Sequence, residues 1–200
     1  MELVIGTSSP HKLAEIVAIL ADLPLDLLTP DDVGGIPDVA ETGATFAENA
    51  RLKALAIARH TDRPAMADDS GLEVDALHGD PGVRSRRFAG PGATDADRNR
   101  RLLGLLADVP RDQRGAQYQC AIALAVDGDV VIETTGIVRG RIAERPAGRS
   151  GFGYDPLFIP DEHDQTVAEL GDVVKNRLSH RARALAALKP RLADYLRTPE

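Results

Sequence analysis

The chain has 200 residues, 43% of them hydrophobic and 28% charged, with a net charge of -7 at pH 7. That length suits a single domain spanning 1–200, and a chain of this size hides roughly 70% of its unfolded surface, enough for a sizeable core. The acidic balance argues against nucleic acid as a partner, and no apolar run approaches the ~20 residues of a membrane span, so neither association is expected.

Cys120 is the one cysteine, and it lies in an apolar run. It can form no internal disulfide, and a buried strand position fits it better than a nucleophile. Glu2 is wrong for the basic start of a secretion signal, so a reduced, cytoplasmic setting is expected. Twenty of the 24 basic residues are arginine, leaving lysine only at 12, 53, 175 and 189. A lysine kept against that habit offers a compact point charge suited to phosphate.

In chain order, residues 2–6 predict a strand and 12–21 an amphipathic helix, with apolar residues at 13, 16, 17 and 20. Residues 23–28 predict a second strand, and the Pro-, Gly- and Asp-rich stretch 29–42 a loop. A helix over 44–60 follows, its start marked by Thr42 and Gly43, with Glu48 in the early turns. Two strand pieces, 64–67 and 72–74, flank a DDSG turn. The helix over 94–107 takes Thr94 or Asp95 as cap, with Asp97 in the first turn. Asp127-Gly128 between 117–126 and 130–139 signals a hairpin, 156–159 a short strand, and 179–196 a closing helix interrupted near Pro190. The alternation points to a mixed α/β sheet flanked by helices.

Five stretches carry candidate chemistry. TSSPHK (7–12) joins a strand to a helix, so its N–H groups, hydroxyls and Lys12 converge as an anion site, or Ser8 or Ser9 simply caps the helix ahead of Pro10. Asp68 and Asp69 can hold Mg²⁺, and one of them can take a proton from water; alternatively they form an Asx-turn. Glu41 either supplies a second metal carboxylate or favours a helix N-terminus by charge. In SGFGYDP (150–156) the glycines let backbone approach a flat ligand beside an aromatic face, or build a structural corner. In SHRARAL (179–185) His180 and Arg181 project from a helix start, close after Lys175. The block Arg84, Arg86 and Arg87 reads as a solvated turn or a local field for phosphate.

Taken together, ETGATFAENA (41–50), ADDSGLEVDALHGDPGV (67–83), GFGYDP (151–156) and SHR (179–181) resemble the inosine triphosphate pyrophosphatase family, the Ham1-like dITP/XTP pyrophosphatases, over nearly the whole chain. The resemblance implies a two-lobed α/β protein with a long mixed sheet, a site in the cleft, and a homodimer. It implies hydrolysis of ITP, dITP or XTP to the monophosphate and pyrophosphate with Mg²⁺. Asp69 then matches the proton acceptor and metal ligand, Ser70 its neighbour at the substrate, and Glu41 a further acid at the metal. Thr7, Ser8, Ser9, Pro10, His11 and Lys12 match the triphosphate loop, although the family usually has asparagine at the position of Ser9. Phe152, Gly153, Tyr154 and Asp155 match the nucleoside turn, and Lys175, His180 and Arg181 the groups that contact base and substrate. A nucleotide-binding sensor without turnover and a Maf-like pyrophosphatase are the rivals, and a nucleotide panel discriminates them.

Overall fold

A computed structural model describes residues 1–197, apart from the side chains of 172, 173 and 176. Its main elements are β1 (Glu2–Ile5), α1 (Pro10–Leu20), β2 (Asp26–Leu28), α2 (Phe46–Thr61), β3 (Ala65–Val74), α3 (Asp95–Leu105), β4 (Gly115–Val126), β5 (Asp129–Ile142), β6 (Phe158–Pro160), α4 (Val167–Leu178) and α5 (His180–Arg197). The strands form a six-stranded mixed sheet in the order β2-β1-β3-β4-β5-β6. β1 runs parallel to β2 and β3, pairing Leu3 with Leu27 and Val4 with Ala65, while β5 and β6 are antiparallel.

Local chemistry explains most boundaries. Ser9 caps α1, accepting the Lys12 N–H, and Pro10 occupies the first turn, where its missing N–H costs nothing. Thr94 and Asp97 cap α3 reciprocally. Asp127 (φ 50°) and Gly128 (φ 89°) turn β4 into β5, as the Asp-Gly pair predicts.

Four expectations need correction. α2 is capped by Thr45, whose hydroxyl accepts the Glu48 N–H at 3.2 Å, rather than by Thr42 or Gly43. DDSG is no turn: β3 runs unbroken through it, because the polar side chains find partners without the backbone leaving the sheet. The α4 helix is absent from the expectations, since Gly171 (φ 78°) breaks its apolar period. Its reciprocal cap between Thr166 and Glu169 was the available signal. Finally, α5 continues through Pro190. An interior proline costs about 3 kcal/mol, and buried Leu185, Leu188 and Leu192 around it offset that loss.

The chain packs as two units. The first comprises residues 1–69, 120–136 and the described residues from Arg181 onward; the second comprises 70–119 and 137–180. In the first, Leu3 and Ile5 of β1, Ile16 and Leu20 of α1, Ile122 and Leu124 of β4, and Leu185 and Leu188 of α5 form one buried cluster. In the second, Leu72, Val74, Leu102, Leu106, Tyr154 and Phe158 form another.

Candidate active site

In the first unit the continuity of β3 decides the geometry. Successive strand residues face opposite sides, so Asp68 and Asp69 meet different partners. Asp69 Oδ1 accepts from Lys53 Nζ at 3.0 Å, and its Oδ2 accepts from Asn49 Nδ2 at 3.1 Å. Asn49 and Lys53 lie one turn apart on α2 and so share a face. The Asn49 side-chain oxygen accepts the Gly43 N–H at 2.8 Å, tying the loop before α2 to the carboxylate. Only glycine fits there, because a Cβ would stand 2.7 Å from the Glu48 Cβ. Lys53 also donates to Glu41 Oε1 at 3.2 Å, so two carboxylates converge on one ammonium.

Electrostatics separates the two aspartates. Burial pushes the Asp69 carboxyl above its usual value; Lys53 opposes this and Glu41 adds to it. Burial alone would raise Asp68 as well, but Lys12, Arg181 and Lys53 outweigh it and hold that carboxyl far below the usual range. Lys12 Nζ donates to Asp68 Oδ2 at 2.9 Å and Arg181 Nη2 at 3.3 Å, while Arg181 Nη1 donates to Glu15. Arg181 is only 1% exposed. Cys120 sits against Asp68, and burial, with that carboxylate, pushes its thiol up to about 12, as an unreactive strand cysteine requires.

The loop ahead of α1 behaves largely as a helix entry. Thr7 is buried and its hydroxyl accepts the Ser9 N–H, Ser9 is spent as the cap, and Ser8, Pro10 and His11 are exposed. Lys12 reaches the aspartates, at Asp68.

The second unit opens with half-buried Ser70 and holds the glycine-rich turn. Asp155 Oδ2 accepts from the Phe152 N–H at 2.8 Å and from Lys175 Nζ at 2.9 Å. That same ammonium lies 3.8 Å from the Phe152 ring centroid, a cation–π contact that holds the ring in place. The Gly153 N–H donates to Asp95, and its carbonyl accepts from Asn99 at 3.0 Å. Tyr154 turns inward, its hydroxyl donating to the Ser85 carbonyl at 3.0 Å. His180 lies parallel to Tyr118, ring centroids 4.7 Å apart. A small pocket, lined among others by Tyr118, Asp155, Phe158, Lys175 and His180, adjoins these groups. Of the arginine block, Arg84 pairs with Asp80, and the segment reaches the turn through the Ser85 carbonyl.

Lys53, Asn49, Glu15 and Tyr118 are participants that sequence reasoning passed over. Lysine scarcity pointed at Lys53 as much as at Lys12 and Lys175. The (i, i+4) spacing of Asn49 and Lys53 behind Glu41 was a second signal; nothing in the sequence singles out Tyr118.

The Ham1 family model matches residues 3–191. A dITP/XTP pyrophosphatase of Geobacter sulfurreducens is 48% identical over 190 residues, covering 95% of this chain and 96% of the relative. One from Streptomyces coelicolor is 46% identical, covering 97% and 98%. A solved HAM1 protein from Coxiella burnetii is 41% identical, covers 97% of this chain and 99% of its own, and superposes with a TM-score of 0.90. On that evidence the chain belongs to the Ham1 family.

Proposed function

We propose that the chain hydrolyses ITP, dITP and XTP to the nucleoside monophosphate and pyrophosphate, a reading supported by relatives named dITP/XTP pyrophosphatase. The observation that carries the reading is Asp69: a buried carboxyl of raised pKa, oriented by Asn49 and facing Glu41 across one ammonium.

Asp69 and Glu41 fit a divalent cation. Each places a carboxylate oxygen within 3.2 Å of the Lys53 ammonium, so the pair already gathers positive charge. Among the described residues no three His, Cys, Asp or Glu side chains converge as a metal cage. Two carboxylates completed by substrate phosphates and water are what Mg²⁺ accepts. Bound there, the ion would neutralise phosphate charge.

The protein's own groups do the rest. Ionised Asp69 takes a proton from water as the oxygen bonds to the α-phosphorus, and the bond from that phosphorus to the bridging oxygen of pyrophosphate breaks. No covalent enzyme intermediate is needed. Lys53 keeps Asp69 oriented, and Lys12 exchanges Asp68 for a phosphate oxygen. In the first unit residues 7–11 shape the loop that leads Lys12 to the phosphates, and Ser70 follows Asp69 in the chain. In the second unit Phe152 offers the stacking face, Gly153, Tyr154 and Asp155 shape the turn, and Lys175 and His180 donate to the 6-oxo group of the base. Arg181, expected among those contacts, has its guanidinium engaged by Asp68 and Glu15, and we assign it to holding the Lys12–Asp68 pair. A cytoplasmic homodimer that binds no nucleic acid completes the reading, supported by family resemblance and the net charge of -7.

Hydrolysis of ITP in water labelled at oxygen with a heavy isotope tests the chemistry. Label in the monophosphate is expected. Label in pyrophosphate would place the attack on the β-phosphorus and overturn the assignment.

A further inference from the structure

Tyr118 joins the glycine-rich turn to the His180 imidazole. It lies in the part of β4 that belongs to the second unit. Its ring is parallel to His180 within 6°, centroids 4.7 Å apart, and meets the Phe158 ring edge-on at 4.8 Å. Its hydroxyl accepts the Tyr154 N–H at 3.2 Å, and a Cβ added to Gly153 would stand 4.0 Å from that oxygen. One side chain thus holds the backbone of the 151–155 turn at its tip and the imidazole plane on its face, and it lines the small pocket between them.

Packing alone does not explain this residue. A ring that merely filled space would serve as well without a hydroxyl. Here the hydroxyl is the acceptor for a part-buried backbone N–H in a glycine-rich turn, where loss of the partner leaves a donor unsatisfied. Stacking also limits rotation of the imidazole, and directional hydrogen bonding to a base depends on that plane.

We propose that Tyr118 is a positioning residue for base selection: it sets the spacing between the nucleoside turn and His180, and so the discrimination between 6-oxo and 6-amino purines. The proposal rests on the reading of the turn and His180 as the base reader.

Three variants test it, each checked for folding by circular dichroism and thermal transition: Tyr118→Phe, Tyr118→Leu and His180→Ala. Tyr118→Phe keeps the stack and loses the acceptor. It should raise KM for ITP about tenfold, the scale of one unsatisfied donor, with kcat within about twofold and ATP kinetics nearly unchanged. Tyr118→Leu loses both contacts and should compress the ITP:ATP ratio further, with a shift of the His180 ring resonances in the ligand-free protein. His180→Ala should compress the ratio as well. If His180→Ala compresses it while both folded Tyr118 variants leave it unchanged, the proposal is wrong and the base reader stands. If His180→Ala also leaves the ratio unchanged, the base reader falls and the proposal with it. Equal loss of kcat on ITP and ATP in the Tyr118 variants would reduce the residue to structural support and overturn the proposal.

Discussion

Asp69 must be ionised to take a proton, yet burial raises its pKa above the usual 3.8. The two demands meet because Lys53 and Asn49 stabilise the charged form without cancelling the effect of burial. Asp69→Asn keeps the shape and removes the acceptor. Turnover should fall by about 10²–10⁴-fold in a folded protein, measured as pyrophosphate release; retention of more than about a tenth would exclude Asp69 as the base. The shift can be read without metal or substrate: in the ligand-free protein the Asp69 carboxyl carbon should titrate above 3.8 by NMR, with its resonance identified by its loss in Asp69→Asn. Titration at or below 3.8 in the metal-free wild type would contradict the raised carboxyl.

Elements meet around the neighbouring aspartate. Lys12 and Glu15 are one turn apart on α1, Asp68 lies on β3 and Arg181 in the first turn of α5, so a chain of four charges fastens three elements of the first unit. The Asp68 pKa is lowered on folding, so this carboxylate contributes stability above 3.8 that is lost as pH falls toward its folded value. Removing one partner of a buried pair costs about 3–5 kcal/mol. Asp68→Asn should therefore lower the Tm strongly at pH 7, and the gap from wild type should narrow as pH drops below 3.8. A gap independent of pH would mean that shape, not charge, holds these elements together. This element scale is also where sequence reading was least complete. The caps of α1 and α3 and the Asp127-Gly128 turn were legible because each depends on neighbours in the chain. The continuity of β3 was not, since what keeps Asp68 and Asp69 in a strand lies on α1, α2 and α5, 113 residues away in the case of Arg181. The α4 helix escaped for a different reason, its periodicity being interrupted at Gly171.

For the whole molecule, the motif order carried the family and the mixed α/β class. The site was legible as residue types but not as pairings: Glu41 and Asp69 could be named, whereas the lysine that joins them could not be assigned before α2 was placed beside β3. If those two carboxylates hold Mg²⁺, excess chelator should abolish turnover and added Mg²⁺ should restore it. Equal rates with and without chelator would remove the ion from the account.

Selection of purine triphosphates by a 6-oxo group, with release of pyrophosphate, is read from kcat/KM for ITP, XTP and ATP with Mg²⁺, the products being separated and identified. A site whose buried donors match the oxo group rejects the amino analogue by about 10⁴-fold, so ITP and XTP should exceed ATP on that scale, each yielding monophosphate and pyrophosphate. Comparable values for ATP, or diphosphate and orthophosphate as products, would contradict it.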